Sequence, residues 1–228
     1  MDFHKKTIRE DFNDNLSDDK IREFHETLVI GIGENYCQRE FRNFCIDSRN
    51  EKILQFLLYY FNGCSKALDV FPDSDYALHK NILLIGPPGT GKTMIMQIFS
   101  DYLKMTNNPN QFHNISITQM ANYYKLHGNI DRYTYNESET TDFDGKPFNL
   151  CLNDIGIDLQ QKSFGTDLDS IIDEFLFARY EIFQNHRKRT HLTSNMVIDE
   201  FKSKYEERLM DRFKNYNVLA LTGNSRRK

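Results

Sequence analysis

The sequence predicts a mostly parallel α/β sheet covered by helices on both faces, preceded by a short polar appendage. Three observations carry this. A glycine-rich loop, GPPGTGKT at residues 86–93, comes directly after the apolar run KNILLI. Beyond it, short apolar runs alternate with amphipathic stretches, the pattern of strands that pair in parallel through helical crossovers. The first 48 or so residues are polar, charged and only weakly periodic.

In chain order, short helices are expected at residues 8–12 and 19–28, with Gly31 and Gly33 breaking the pattern beyond the second. From residue 51 the character changes: Ile53, Leu54, Leu57, Leu58 and Phe61 recur at helical spacing and stop before Gly63. This places a boundary near Asn50, giving an N-terminal partner-binding or linker segment at 1–50 and the main domain at 51–228. Residues 80–85 read as a strand and 93–105 as the helix that leaves the loop. A strand at 112–117, a helix at 118–126, a polar stretch to Lys146 and a strand at 148–152 come next. A long helix at 167–184, a strand at 190–194, a helix at 198–213 and a last strand at 217–221 complete the series.

A chain of 228 residues holds one nucleotide-sized domain and a short extra segment, not two full domains. Its formal net charge of −4 excludes binding to nucleic acid through global charge, so any such contact rests on a local basic patch. Cys37, Cys45, Cys64 and Cys151 form no C-x-x-C pair and read as reduced thiols. The charged N-terminus lacks a signal-like apolar core, and no run approaches the roughly 20 apolar residues that span a membrane. A cytoplasmic location without membrane contact is the expectation.

The loop is the strongest signal. In Gly86, Pro87, Pro88, Gly89, Thr90, Gly91, Lys92 and Thr93, the glycines let the backbone approach a polyphosphate, and successive N–H groups point at it from a helix N-terminus. Lys92 is suited to the β- and γ-phosphates of ATP and the Thr93 hydroxyl to Mg²⁺. Such a site also needs a carboxylate at the end of another strand, and LCLNDIG at residues 150–156 is the candidate.

With the loop, LCLNDIG resembles the DnaC/IstB branch of AAA+ ATPases, which comprises helicase loaders and transposition helper ATPases. The resemblance runs over roughly residues 50–228. It implies an AAA+ parallel sheet sandwiched by helices, with a reduced C-terminal lid and ATP and Mg²⁺ as cofactors. Aligning Ile155 and Gly156 with the family's ending puts Asn153 in the magnesium-aspartate position, contacting the metal directly or through water, and Asp154 in the catalytic-acid position. Loss of the first acid implies slow hydrolysis. A one-residue shift that put Asp154 on the metal would turn every strand side chain to the other face, which the apolar run disfavours.

HLTSNM at residues 191–196 resembles a sensor-1 strand with Asn195 near the γ-phosphate, and ERLMDRF at 207–213 an arginine-finger segment with Arg212 the best match and Arg208 second. LTGNSRR at 221–227 resembles the branch's closing motif, with Arg227 preferred over Arg226 as a nucleotide contact. Each has a plainer reading: Asn195 as a helix cap, the arginines as solvated charges.

Between residues 120 and 135, Tyr123 and Tyr124 interleave with Lys125 and Arg132, a composition that suits stacking on single-stranded DNA. Aromatics at this spacing equally suit a core, and nearby acids weaken the electrostatic case. NHRKR at 185–189 is a basic turn.

The resemblance implies a loader of a replicative helicase, assembling as an ATP-dependent homo-oligomer on single-stranded DNA. The alternatives are an IstB-like transposition helper, or a nucleotide-sensing scaffold with negligible turnover. A small-molecule kinase would leave the TSN and ERLMDRF segments without a part.

Overall fold

The computed structural model describes residues 15–135, 146–156, 168–205 and 207–226. The expected helix at residues 8–12 and the polar stretch at 136–145 lie outside them. The chain forms two compact units, one of residues 1–80 and 94–111, the other of residues 81–93 and 112–228.

In the first unit, α1 (Asp19–Gln38) is capped by Asp18, whose carboxylate accepts from the N–H groups of Lys20 and Ile21. The helix does not stop at Gly31. It runs through both glycines because His25, Val29, Gly33 and Cys37, each four residues apart, form one buried stripe. At Gly33 a Cβ would lie 2.8 Å from the Phe44 ring, so the glycine permits a close approach. Packing outweighs a propensity cost of about 1 kcal/mol per glycine.

Helix α2 (Glu51–Phe61) is buried from Ile53 to Phe61 apart from Gln55, and a short α3 (Lys66–Val70) comes after it. Helix α4 (Lys92–Met105) begins in the second unit and continues in the first. There Tyr102 hydrogen-bonds to His25 Nδ1 at 2.8 Å and accepts from Asn62 Nδ2 at 2.9 Å, so a polar chain threads the apolar packing.

The second unit carries a five-stranded, wholly parallel sheet flanked by helices. Its strands are β1 (Asn81–Ile85), β2 (His113–Ser116), β3 (Leu150–Ile155), β4 (Thr190–Ser194) and β5 (Tyr216–Ala220), in the order β2-β3-β4-β1-β5. Strands β1 and β4 are buried along their whole length, as central parallel strands require. Helix α5 (Ile117–His127) opens on a capping box between Ser116 and Gln119 and closes on Gly128 in the left-handed conformation.

Helix α6 (Leu168–His186) supplies Ile171, Ile172, Phe175 and Leu176 to the core. The expected single helix over residues 198–213 is instead two, α7 (Ile198–Lys204) and α8 (Glu207–Phe213). Tyr205 turns extended between them and buries its ring against Phe201 and Phe213.

Strand β3 also departs from expectation, since it runs on to Ile155. Its register against β4 shifts between Leu152 and Ile155, the mark of a bulge.

Candidate functional site

The loop after β1 turns into α4 at Lys92, which is 4% exposed. Its Nζ donates to the carbonyls of Gly86 at 2.6 Å and Pro87 at 2.9 Å, and to Asn195 Oδ1 at 2.8 Å. Asn195 comes directly after the last residue of β4, which is β1's neighbour in the sheet. The topology therefore brings the sensor-like asparagine to the loop lysine across 103 residues of sequence. Gly89 has φ +80°, and a Cβ there would collide with Ser225 Oγ. The segment after β5 is pinned to the loop as well, since the Arg226 N–H donates to the Gly89 carbonyl at 2.8 Å.

At the end of β3 the two neighbours expected at the metal are held differently. Asn153 is buried and committed to the sheet: Nδ2 donates to Asn114 Oδ1 and the Ile115 carbonyl, both at 3.2 Å, and Oδ1 accepts from Thr193 Oγ1 at 3.2 Å. Asp154 sits in the bulge with φ +66°, a conformation that aspartate tolerates better than most residues. Its two carboxylate oxygens stand 3.4 and 3.5 Å from Thr93 Oγ1. The carboxylate facing the loop threonine is therefore that of Asp154, while the Asn153 amide is hydrogen-bonded within the sheet. The expected register assumed an unbroken strand; the bulge turns Asp154 toward the loop while leaving the earlier apolar residues where they were.

Thr193 was not singled out in the sequence, yet it holds both neighbours. Its hydroxyl accepts from the Asp154 N–H at 2.9 Å and donates to Asn153. Its position in the TSN triplet, two residues before Asn195, was the available signal. Burial first, and then the Asp154 carboxylate, push the Cys151 thiol well above its ordinary range, so it is no nucleophile.

The remaining candidates are dispersed. Tyr123 is 9% exposed, stacked on His127 and edge-on to Tyr133 in the core, so it cannot stack on a base. Tyr124 packs partly against the same core, while Arg132 is half-buried and Lys125 lies on the same short stretch. The Arg212 guanidinium lies over the rings of Phe177 and Tyr180, 4.0 and 4.6 Å from their centroids. It shares a cavity with Asn81, the first residue of β1, whereas the loop leaves from that strand's last residue. At about 3.3 Å per residue the five-residue strand holds the two ends about 13 Å apart, so Arg212 faces away from its own loop. Arg227 and the side chain of Arg208 lie outside the described residues.

Sheet, loop, lysine and strand-end carboxylate define a P-loop α/β protein. Residues 75–142, which include the loop, match the family model for magnesium chelatase, subunit ChlI. No curated protein is similar in sequence. Among solved structures, AMPPCP-bound DnaA from Aquifex aeolicus aligns at 18% identity with a TM-score of 0.49, covering 78% of this chain and 48% of that one. The DnaC helicase loader aligns at 16% identity and a TM-score of 0.48, covering 78% and 92%. Domain III of the Thermotoga maritima replication initiation protein DnaA aligns at 14% and 0.49, covering 78% and 64%. The chain thus spans about half the length of the Aquifex DnaA chain. No helix among the described residues is long and apolar enough to cross a membrane.

Proposed function

We propose that this chain is an ATP-binding AAA+ protein of DNA replication, acting on a replicative helicase as a DnaC-like loader. The observation that carries the nucleotide assignment is the convergence of Lys92, Asn195, Thr93 and Asp154 on one loop. The fit rests on the chain itself: a glycine whose Cβ would collide with its neighbour, a buried lysine held by exchangeable neutral acceptors, and a hydroxyl facing both oxygens of a carboxylate.

In this reading Lys92 trades its carbonyl bonds for the β- and γ-phosphates, and Thr93 and Asp154 hold Mg²⁺, Asp154 taking the part first expected of Asn153. Bound Mg²⁺ neutralises charge across those phosphates. Asn195, already on Lys92, orients the terminal phosphate, and Arg212 serves a neighbouring copy in a homo-oligomer.

A second reading, a nucleotide-sensing scaffold with negligible turnover, is favoured by one feature. The residue after Asp154, where a water-orienting acid would stand, is the fully buried Ile155. Of the residues expected to meet single-stranded DNA, Tyr123 is buried in the core, and Tyr124, Lys125 and Arg132 are partly exposed.

Titration with a fluorescent ATP analogue tests the nucleotide assignment. Lys92→Ala should weaken binding by about 10- to 100-fold, since a charge-assisted hydrogen bond is worth about 1.5–3 kcal/mol. Asp154→Asn should abolish the Mg²⁺ dependence of binding while Asn153→Ala leaves it in place. Undiminished affinity in folded Lys92→Ala would put the nucleotide elsewhere. The loader assignment is tested separately by co-purification with a replicative helicase, with and without ATP.

A further inference from the structure

The basic turn NHRKR at residues 185–189 takes no part in the nucleotide site. Helix α6 ends at His186, and Arg187 leaves it with φ +54°, its N–H donating to the Phe183 carbonyl at 3.2 Å. A left-handed residue at the end of a helix is commonly glycine, because a Cβ is strained there. This chain has an arginine instead. His186 and Arg187 are exposed and Lys188 is partly exposed. None of the three enters an ion pair or a side-chain hydrogen bond among the described residues. Cations near a helix C-terminus complement its dipole, but a neighbouring position of ordinary φ would serve that equally.

The turn is fixed against an aromatic edge of the sheet. Arg179, buried on α6, donates through Nη2 to the carbonyls of Phe148 at 2.8 Å and Arg189 at 3.0 Å. Asn149 ties the same two segments to β2: its Oδ1 accepts from the Arg189 N–H at 2.8 Å and its carbonyl from the His113 N–H at 3.0 Å. His113, exposed at the start of β2, lies edge-on to Phe148 with ring centroids 4.9 Å apart. His113 and Thr190 both pair with Leu150, so two strand spacings, about 10 Å, separate the histidine backbone from the end of the turn. No acid occurs in residues 112–116, 148–150 or 182–190, on a chain whose net charge is −4. The last acid of α6, Glu181, accepts from the Tyr135 hydroxyl at 2.6 Å.

We propose that this edge binds single-stranded DNA, Arg187 and Lys188 following the phosphates while the His113 ring, backed by Phe148, stacks on an unpaired base. Cations alone suit any polyanion. The exposed ring beside them selects a strand whose bases are free to stack, which a duplex does not offer. The proposal goes beyond the loader reading and does not depend on it. Failure to bind DNA here leaves the nucleotide site in place, and failure to co-purify with a helicase leaves this surface in place.

Anisotropy of a fluorescein-labelled oligo(dT), titrated with the full chain without nucleotide at about pH 8, where histidines are neutral, reads the site. Wild type should bind, with an affinity that falls as salt rises. Arg187→Gly is the sharpest variant. Glycine relieves the left-handed backbone, so its thermal midpoint should equal or exceed that of wild type while DNA binding weakens. Combined with Lys188→Ala, it should lower the slope of log affinity against log salt by about 1.4, since each phosphate contact in a single strand contributes about 0.7. His113→Ala should weaken binding about 5-fold or more and leave the slope unchanged, because a lost stack removes no charge. Wild-type affinity and slope in the double variant would overturn the proposal. So would tighter binding of a duplex than of oligo(dT), or binding only to vesicles of anionic lipid.

Discussion

Lys92 and Arg179 are both buried cations on helices that flank one parallel sheet, at opposite ends of it, and they are held differently. Lys92 is met by two carbonyls of a glycine loop and a side-chain amide from the end of the next strand. Those bonds can be given up to a phosphate without unpicking the fold. Arg179 is met by Thr190 and by the carbonyls of Phe148 and Arg189, which flank the starts of β3 and β4. Those bonds are part of the fold, and one edge of the guanidinium is left over. The cation at the carboxyl end is therefore held by acceptors that it can exchange, and the one at the amino end, where charge is stored, by acceptors that it cannot.

Arg212 is the hardest test of that division, because it sits at the storing end yet carries a proposed role in hydrolysis. Its place beside Asn81 keeps it from its own loop, so any action on phosphate must be on a neighbouring copy. A guanidinium supplied in this way is worth about 10³–10⁵ in rate and little in ground-state binding. Arg212→Ala should bind ATP almost normally and lose hydrolysis or ATP-dependent assembly. Mixed with Lys92→Ala protein, which keeps its finger, it should regain activity that neither shows alone. Steady-state phosphate release measures this. Failure to complement in assembled mixtures would leave Arg212 as a ring-stacked structural residue over Phe177 and Tyr180.

Tyr123 tests the division from the side of DNA. A base-stacking tyrosine would cost affinity when removed and leave stability alone. Buried against His127 and Tyr133, it should do the reverse. Tyr123→Ala should lower unfolding free energy by about 3 kcal/mol or more, within the range for large aromatic deletions, as read by urea denaturation. A stable variant with weakened single-strand binding would restore the stacking role.

The division was only half legible in the sequence. The loop reads directly, because its function is written in backbone freedom and one lysine, both local. Helix α2 also reads directly, since Ile53, Leu54, Leu57, Leu58 and Phe61 recur at helical spacing. Helix α1 misleads because Gly33 is a packing choice made against Phe44, a residue beyond the helix that a local window of helix propensity does not weigh. The break at Tyr205 depends on where Phe201 and Phe213 meet in three dimensions. Asp154 is the instructive case: apolar alternation fixes which face a strand buries, but a bulge changes the count of residues without changing the pattern before it. Arg179 is illegible for another reason. In sequence it is one more charge on an amphipathic helix, and only the fold reveals that it faces inward.

Because Asn153 and Asp154 are neighbours with opposite commitments, exchanging charge between them sharpens the comparison. Asn153→Asp would restore the metal ligand if Asn153 stood in that position. In place, its Nδ2 donates to two oxygens, those of Asn114 and Ile115, and a carboxylate there would set negative charge against both. The substitution should cost about 1–3 kcal/mol, the range for a buried polar group left unsatisfied, and should not raise Mg²⁺-dependent turnover. Thermal unfolding and phosphate release read the two halves. Faster turnover without loss of stability would return the metal to Asn153.

The smallest effect expected is a pH dependence at the storing end. His191 is fully buried on β4, and its Nδ1 accepts the Ile82 N–H at 3.1 Å, so the folded ring is neutral. Burial foremost, then Arg189 and Arg179, hold its pKa well below the ordinary histidine value. The unfolded chain takes up a proton below about pH 6.5 that the folded chain refuses. With the folded pKa depressed, stability is full above that pH and declines as pH falls through it, by at most about 1.4 kcal/mol per pH unit for one histidine. His25, also lowered by burial, adds a slope of the same sign from the first unit. Urea denaturation of wild type and His191→Gln between about pH 5 and 7.5 separates them, since the variant should be less stable at the upper end yet lose less on acidification. Parallel curves for the two proteins would mean that His191 takes up its proton in the folded state, and that the amino end of the sheet tolerates more positive charge than its packing implies.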